Sequence, residues 1–277
     1  MADTLNQMEL SNQAFIPSQS TSSHQNYHCL AGIQGKIAIV TGSSRGIGRA
    51  IALALGKSGA KLVLTYSKND KDMDETKSIM ASYGIEYLVF KGSVENRLFS
   101  KQVVSDVKAK WGGVDILVNN AGIIKDRPLM LMSEQDWDQV IDVNLKGAFN
   151  FSKEVLSSMM SRNAGRIINI SSLTAIAGRE AQTNYGAAKA GLIGFTKSLA
   201  REAGYKNILV NAIVAGLIDT QMIKKVPREL VKKLEEFIPL RRIGKPEEVA
   251  NVVLFLASDL SSYMTGAVLN ISGGEYM

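Results

Sequence analysis

Ser172, Tyr185 and Lys189 carry side chains that together could move a proton. Tyr185 and Lys189 stand four positions apart, which on a helix places them on one face about one turn from each other. A free phenol, with a pKa near 10, is a poor acid–base catalyst at neutral pH. A neighbouring ammonium favours the phenolate, and a downward shift of about 3 units would correspond to roughly 4 kcal/mol of differential stabilisation. An isolated Tyr-x3-Lys is ordinarily a surface pair on an unremarkable helix. Here Ser172 lies 13 positions ahead of the tyrosine, at the C-terminal end of an apolar, β-rich run. Ligand sites of open α/β sheets collect at such strand ends.

A second constellation lies nearer the N-terminus, in Thr41-Gly42-Ser43-Ser44-Arg45-Gly46-Ile47-Gly48. Its glycines permit a tight turn, let a pyrophosphate approach the backbone and allow a helix to pack closely on a strand. Phosphates would then rest on the amides of a helix beginning near Gly46. A plain turn is the bland alternative, but the stretch sits between a first strand and an amphipathic helix, which favours a dinucleotide. An NAD site usually has a carboxylate at the end of the second strand for the ribose 2′-hydroxyl. In this chain that strand continues Thr65-Tyr66-Ser67-Lys68, with no acid, and Arg45 and Lys68 offer cations for a 2′-phosphate. The expected cofactor is NADP(H).

The elements that must hold these groups follow a regular rhythm. Short apolar runs fall at 36–40, 61–65, 86–90, 115–118, 166–170, 208–213 and 267–271. They are apolar on both faces, as strands buried in a parallel sheet must be. Segments of helical period, such as 47–55, alternate with them. That order predicts a doubly wound α/β fold: a parallel Rossmann-type sheet with helices on both faces. The reading is one domain over 35–277, with a helical lid between the sixth and seventh runs. Residues 1–34, rich in Ser, Gln and Asn, are expected to form a mobile polar tail.

Composition excludes other chemistry. The two histidines and the one cysteine, His24, His28 and Cys29, all lie in the expected tail. The body therefore has no Ser-His or Cys-His nucleophile pair and no His/Cys zinc site, and no metal is expected. A formal charge of +6 invites nucleic acid, but no Lys/Arg cluster interleaved with aromatics is present. No apolar run is long enough to span a bilayer, and no signal peptide is readable. A single cysteine suits a reducing compartment, so a cytoplasmic protein is expected.

The spacing Gly-x3-Gly-x-Gly, the stretch Asn119-Asn120-Ala121-Gly122 and Tyr185-x3-Lys189, in that order, resemble the short-chain dehydrogenase/reductase family over nearly the whole body. The resemblance implies that Ser172 hydrogen-bonds the substrate carbonyl, Tyr185 donates the proton, and Lys189 lowers the tyrosine pKa and binds the nicotinamide ribose. It implies that Asn144 holds a proton-relay water. Ser171 is chemically equal to Ser172, but alternation along an extended backbone turns it the other way, and the spacing to Tyr185 selects Ser172. The implied cofactor set is Gly42, Ser44, Arg45, Gly46, Ile47, Gly48, Tyr66, Ser67, Lys68, Ser93, Val94, Asn120, Ala121, Gly122, Tyr185, Lys189, Gly216, Ile218 and Thr220. Two positions depart from the family pattern. Ser93 stands where an aspartate commonly contacts adenine, and Ala215 replaces the proline of a Pro-Gly pair, which would loosen the nicotinamide loop.

Within the family, 115–127 and 184–195 are most similar to bacterial 3-oxoacyl-[acyl-carrier-protein] reductases. The implied reaction is hydride transfer from NADPH to the keto group of a β-ketoacyl thioester, free or carrier-bound. A ketoreductase of a polyketide or other specialised pathway is the alternative, and a silent NADP-binding sensor or scaffold a remote one. Relatives commonly form homotetramers through the helices bearing Asn144 and Tyr185. Residues 220–245 hold eight basic residues (Lys224, Lys225, Arg228, Lys232, Lys233, Arg241, Arg242, Lys245) against three acidic ones (Glu229, Glu235, Glu236). The bland reading is a solvated face; the sharper one is steering of an acidic carrier, helped by Lys206 and Arg162.

Overall fold

A computed structural model describes residues 13–15, 32–221, 223 and 228–277. Seven parallel strands form the sheet: β2 (Ile37–Val40), β3 (Lys61–Tyr66), β4 (Tyr87–Lys91), β5 (Ile116–Asn119), β6 (Gly165–Ser172), β7 (Ile208–Ala215) and β8 (Val268–Ile271). A short strand, β1 (Gln13–Phe15), adds antiparallel to the free edge of β4. The sheet order is β1-β4-β3-β2-β5-β6-β7-β8. The chain leaves β2 toward one edge and returns at β5 toward the other. The crevice at that reversal is where open α/β sheets bind ligands.

Strand alternation feeds two cores. Ala38 and Val40 of β2 face one side with Leu62 and Leu64 of β3, against α1 (Gly46–Lys57), α2 (Asp70–Ser82) and α9 (Pro246–Ala257). Ile37, Ile39 and Val63 face the other side, with α3 (Arg97–Trp111), α5 (Gly147–Arg162) and α7 (Thr183–Ala203). A period of two splits each strand between two apolar layers, which is why these runs carry hydrophobic residues at consecutive positions. The remaining helices are α4 (Glu134–Ile141), α6 (Thr174–Ala177) and α8 (Arg228–Phe237). The last lies in the expected lid, between β7 and β8.

The body reaches further forward than the 35–277 expectation. Ile33 is fully buried among the residues of the first core, and Gly35 donates its N–H to Gly59 O at 2.9 Å. The body thus includes Gly32 to Gln34, since burying an isoleucine side chain outweighs the cost of ordering a short connection. His24, His28 and Cys29 lie outside the described residues.

Candidate active site

The glycine loop is built for close backbone approach. Gly42 and Gly46 have φ of 65° and 55°, which favour glycine. A Cβ on Gly48 would fall 2.3 Å from Gly42 O, so no larger residue fits beneath the turn. Asn120 supports the loop from β5, donating through Nδ2 to Thr41 O (2.9 Å) and Gly42 O (3.1 Å). The N–H groups of Asn120 and Ala121 both reach Thr41 Oγ1 at 3.0 Å. Helix α1 starts at Gly46 with no acid in its first turn and no side-chain cap. Its first-turn amides lack intrahelical partners and suit an anion. Ser44 is buried and gives its carbonyl to Arg49 and Thr76, so it shapes the loop from inside.

At the other end of the crevice, β6 delivers Ser172 and the first turn of α7 delivers Tyr185. The Ser172 hydroxyl lies near enough to the Tyr185 phenol to favour its ionised form, and its Oγ accepts from Thr174 N–H at 3.3 Å. Ser171 turns the other way and donates to Lys189 O at 2.9 Å, as strand alternation requires. Lys189 is buried, and its Nζ donates to Ile170 O at 2.9 Å and lies 5.8 Å from the Tyr185 ring centroid. Asn144 sits in a π-helical turn, Asp142–Lys146, between α4 and α5. Such single turns bulge a helix and are frequent at functional sites. Asn144 Nδ2 donates to Ile123 O (2.9 Å) and Val140 O (2.8 Å), while its buried Oδ1 has no partner. A Cβ on Gly122 would lie 2.6 Å from that Oδ1 and 3.5 Å from Lys189 Nζ. The orphaned acceptor and the ammonium thus meet at the Gly122 backbone.

Electrostatics at this end differ from expectation in one respect. Burial raises the Tyr185 pKa, which the neighbouring Ser172 hydroxyl opposes and the Asp126 charge reinforces. Desolvation depresses Lys189 itself to about 8, and its Nζ donates to the Ile170 carbonyl. The phenol therefore holds its proton at neutral pH.

The other expected cofactor residues are placed as follows. A Cβ on Gly46 would lie 3.4 Å from Thr220 Cγ2, so the turn after β7 comes down on the glycine loop. That turn is braced, not loosened by Ala215: Gly216 donates to Ile271 O, Gly244 to Leu217 O and Asp219 to Gly244 O at 2.8–2.9 Å. Ile218 is buried and bridges Gly244. Val94 packs under Gly147, and the Ser93 hydroxyl is engaged by Glu95. Tyr66 donates to Asp70 at 2.7 Å, and burial and that acid push its pKa up to about 12. Ser67 and Lys68 are exposed. Ile47 is partly buried against the first core.

Several contributors escaped the sequence reading. Asp72 holds Arg45 at 3.1 Å, and Gln221 takes the same nitrogen at 2.8 Å. A carboxylate thus does approach Arg45, from the helix after β3. Gln182 donates to the Asp126 carboxylate at 3.0–3.1 Å and accepts from Thr174 at 3.0 Å, framing the Ser172–Tyr185 pair. Asn184 Nδ2 reaches Lys125 O at 3.1 Å, tying the residues after β5 to α7. The quoted stretch 115–127 contains Asp126, but nothing local signals its partner 56 positions away. The lid charge was overcounted: Glu248, just beyond the window, pairs with Arg242 at 2.6 Å. Arg162 is also engaged, by Asp115 at 2.7 Å and by Val114 O. Lys224 and Lys225 lie outside the described residues.

A family model described as enoyl-(acyl carrier protein) reductase matches residues 42–275. The chain belongs to the short-chain dehydrogenase/reductase family, oxidoreductases that use a nicotinamide cofactor. Among curated relatives it is 44% identical to the 3-oxoacyl-[acyl-carrier-protein] reductase FabG of Aquifex aeolicus, over 88% of this chain and 98% of that protein. It is 44% identical to the protein of the same name from Thermotoga maritima, over 87% and 98%. The Staphylococcus epidermidis counterpart is 42% identical, over 87% and 99%. Among the described residues no helix is long and apolar enough to cross a membrane, and no group of three or more His, Cys, Asp or Glu is placed to hold a metal.

Proposed function

We propose that this oxidoreductase reduces the 3-keto group of an acyl thioester, carrier-bound in the cell, with NADPH. The observation that carries this reading is the convergence of buried Lys189 and Asn144 on Tyr185 beside Ser172 at the end of β6, with Lys189 Nζ 5.8 Å from the Tyr185 ring centroid and Asn144 Oδ1 left without a partner. Bound NADPH would supply the hydride, held by the Gly42–Gly48 turn, the 216–220 turn and Lys189. Ser172 orients and polarises the carbonyl oxygen by donating to it. Tyr185, its proton retained by burial, protonates the developing alkoxide. Asn144 Oδ1 and Lys189 Nζ, meeting at Gly122, suit a water that restores the phenol proton. Arg45 and Lys68 favour the 2′-phosphate of NADPH. The names of the curated relatives agree with keto reduction, whereas the family model's description names enoyl reduction.

Following NADPH absorbance with a 3-oxoacyl thioester and with a trans-2-enoyl thioester separates the two. Oxidation with the keto substrate alone is expected, and turnover of the enoyl substrate alone would overturn the proposal. The reading extends to a cytoplasmic homotetramer. Apolar side chains left exposed on the protomer support assembly: Met130 at 91%, Leu129 and Leu131 beside it, and Phe149 on α5. Sedimentation of a monomer at micromolar concentration would refute it.

A further inference from the structure

Near the crevice but outside the Ser172–Tyr185–Lys189 group, one acid has an enclosed oxygen with nothing to bond. Glu275 is the third residue from the C-terminus, just after Gly273 and Gly274. Its Oε2 is buried and has no hydrogen-bond partner. The oxygen lies against the turn after β7. A Cβ on Gly216 would sit 3.4 Å from Oε2 and 2.7 Å from Ser272 Cα, so the terminal segment rests directly on that turn. Burial raises the Glu275 pKa, against the Arg179 charge and the nearby Leu217 N–H. Neither of those donors completes a hydrogen bond to Oε2.

The backbone that carries the acid is held in place. Glu275 donates its N–H to Ser272 O at 3.2 Å, Leu240 donates to Gly273 O at 3.2 Å, and Asn270 Nδ2 holds Tyr276 O at 2.5 Å. A Cβ on Gly274 would lie 2.8 Å from Pro239, and one on Gly273 2.9 Å from Ile238. The segment is clamped between the base of the lid and the 216–220 turn. A buried carboxylate oxygen without a donor is unfavourable, and this one faces the turn onto which the ligand is expected to settle. We infer that Glu275 is a ligand-contacting specificity residue, its buried oxygen accepting a hydrogen bond from an N–H or O–H of the molecule seated on the Gly216 turn. This rests on the reading above that the turn receives the nicotinamide end of the cofactor beside the substrate. Two ligands carry such a donor: the nicotinamide carboxamide and the amide N–H of a pantetheine thioester. The same acid disfavours a substrate with a carboxylate at this point, by like-charge repulsion.

Glu275→Met and Glu275→Gln in the full chain test the inference. Affinity is read by fluorescence titration with NADPH, with NADP+, with the 3-acetylpyridine analogue of NADP+ (which lacks the carboxamide N–H), and with 2′,5′-ADP. If the carboxamide is the donor, Glu275→Met weakens NADP+ about ten-fold. The acetylpyridine analogue and 2′,5′-ADP then stay within about two-fold. If the substrate is the donor, cofactor affinities hold. KM for a 3-oxoacyl pantetheine thioester then rises about ten-fold, while a simple β-keto ester without an N–H is unaffected. Under either arm Glu275→Gln, which keeps an acceptor oxygen, stays closer to the parent than Glu275→Met. Unchanged constants in Glu275→Met would overturn the inference, as would equal losses for donor-bearing and donor-free ligands. A parent that binds neither NADPH nor NADH would overturn the cofactor reading and this inference with it.

Discussion

The two ends of the crevice hold their cations differently. At the chemical end Lys189 is 3% exposed and bonded to Ile170 O. At the glycine-loop end the Arg45 side chain is 51% exposed and shared between Asp72 and Gln221. A proton donor works only in fixed geometry, and exclusion of water strengthens every charge around it. An exposed ion pair is worth little, so Arg45 can exchange Asp72 for a phosphate at small cost. On the proposed reading, catalysis is thus built on buried groups, and cofactor preference on tunable surface charge.

The sharpest break of this contrast falls on the buried end. Tyr185→Phe is expected to lower kcat about 10²-fold or more while NADPH affinity holds, because the body contains no His or Cys to replace the phenol. Near-normal turnover would remove Tyr185 from the mechanism. At the exposed end, Arg45→Ala should raise KM for NADPH roughly ten-fold and leave NADH kinetics unchanged. Asp72→Asn should shift KM for NADPH downward by no more than about three-fold, since it releases a half-exposed arginine. Equal kcat/KM for the two cofactors in the parent would defeat the 2′-phosphate reading.

Burial of Lys189 also has a stability signature. Desolvation lowers its pKa from 10.5 to about 8, so between those values the unfolded chain binds more protons than the folded one. Through this group stability rises with pH across that window. Lys189→Met should abolish activity, yet raise Tm at pH 7 by about 2–4 °C and flatten the rise. A Tm that falls, or an unchanged pH slope, would show that the buried ammonium is compensated elsewhere.

The smallest effect belongs to the lid. Lys232 and Lys233 are exposed on α8. Reversing both to Glu should lower kcat/KM for a carrier-bound substrate about three-fold at low salt, and barely affect a small thioester. Charges of this kind are screened over about 8 Å at physiological salt. Parallel salt curves for the two substrates would leave the lid charge as ordinary solvation.

Legibility followed chain distance. The runs that became β2 to β8 were readable because a strand between two apolar layers needs hydrophobic residues at consecutive positions, as at 37–40. The glycine loop and Tyr185-x3-Lys189 were readable because their geometry is local. Strand β1 was not: three residues in a polar stretch pair with β4 through the backbone, which leaves little mark on side-chain choice. The Asp72–Arg45 pair and the Asp126–Gln182 contact join positions 27 and 56 apart, and no spacing rule covers them.

The sequence by itself determined the layered α/β plan, the crevice at the strand ends and the chemical types gathered there. Each of those depends on periodicity, or on turns and helix faces a few residues long. Only the tertiary structure decided the electrostatic state of those types. Burial keeps the proton on Tyr185, a carbonyl orients Lys189, Asp72 restrains Arg45, and the C-terminal segment brings Glu275 onto the Gly216 turn. Desolvation and charge pairing depend on which distant segments close around a group, and that closure is a property of the packed chain.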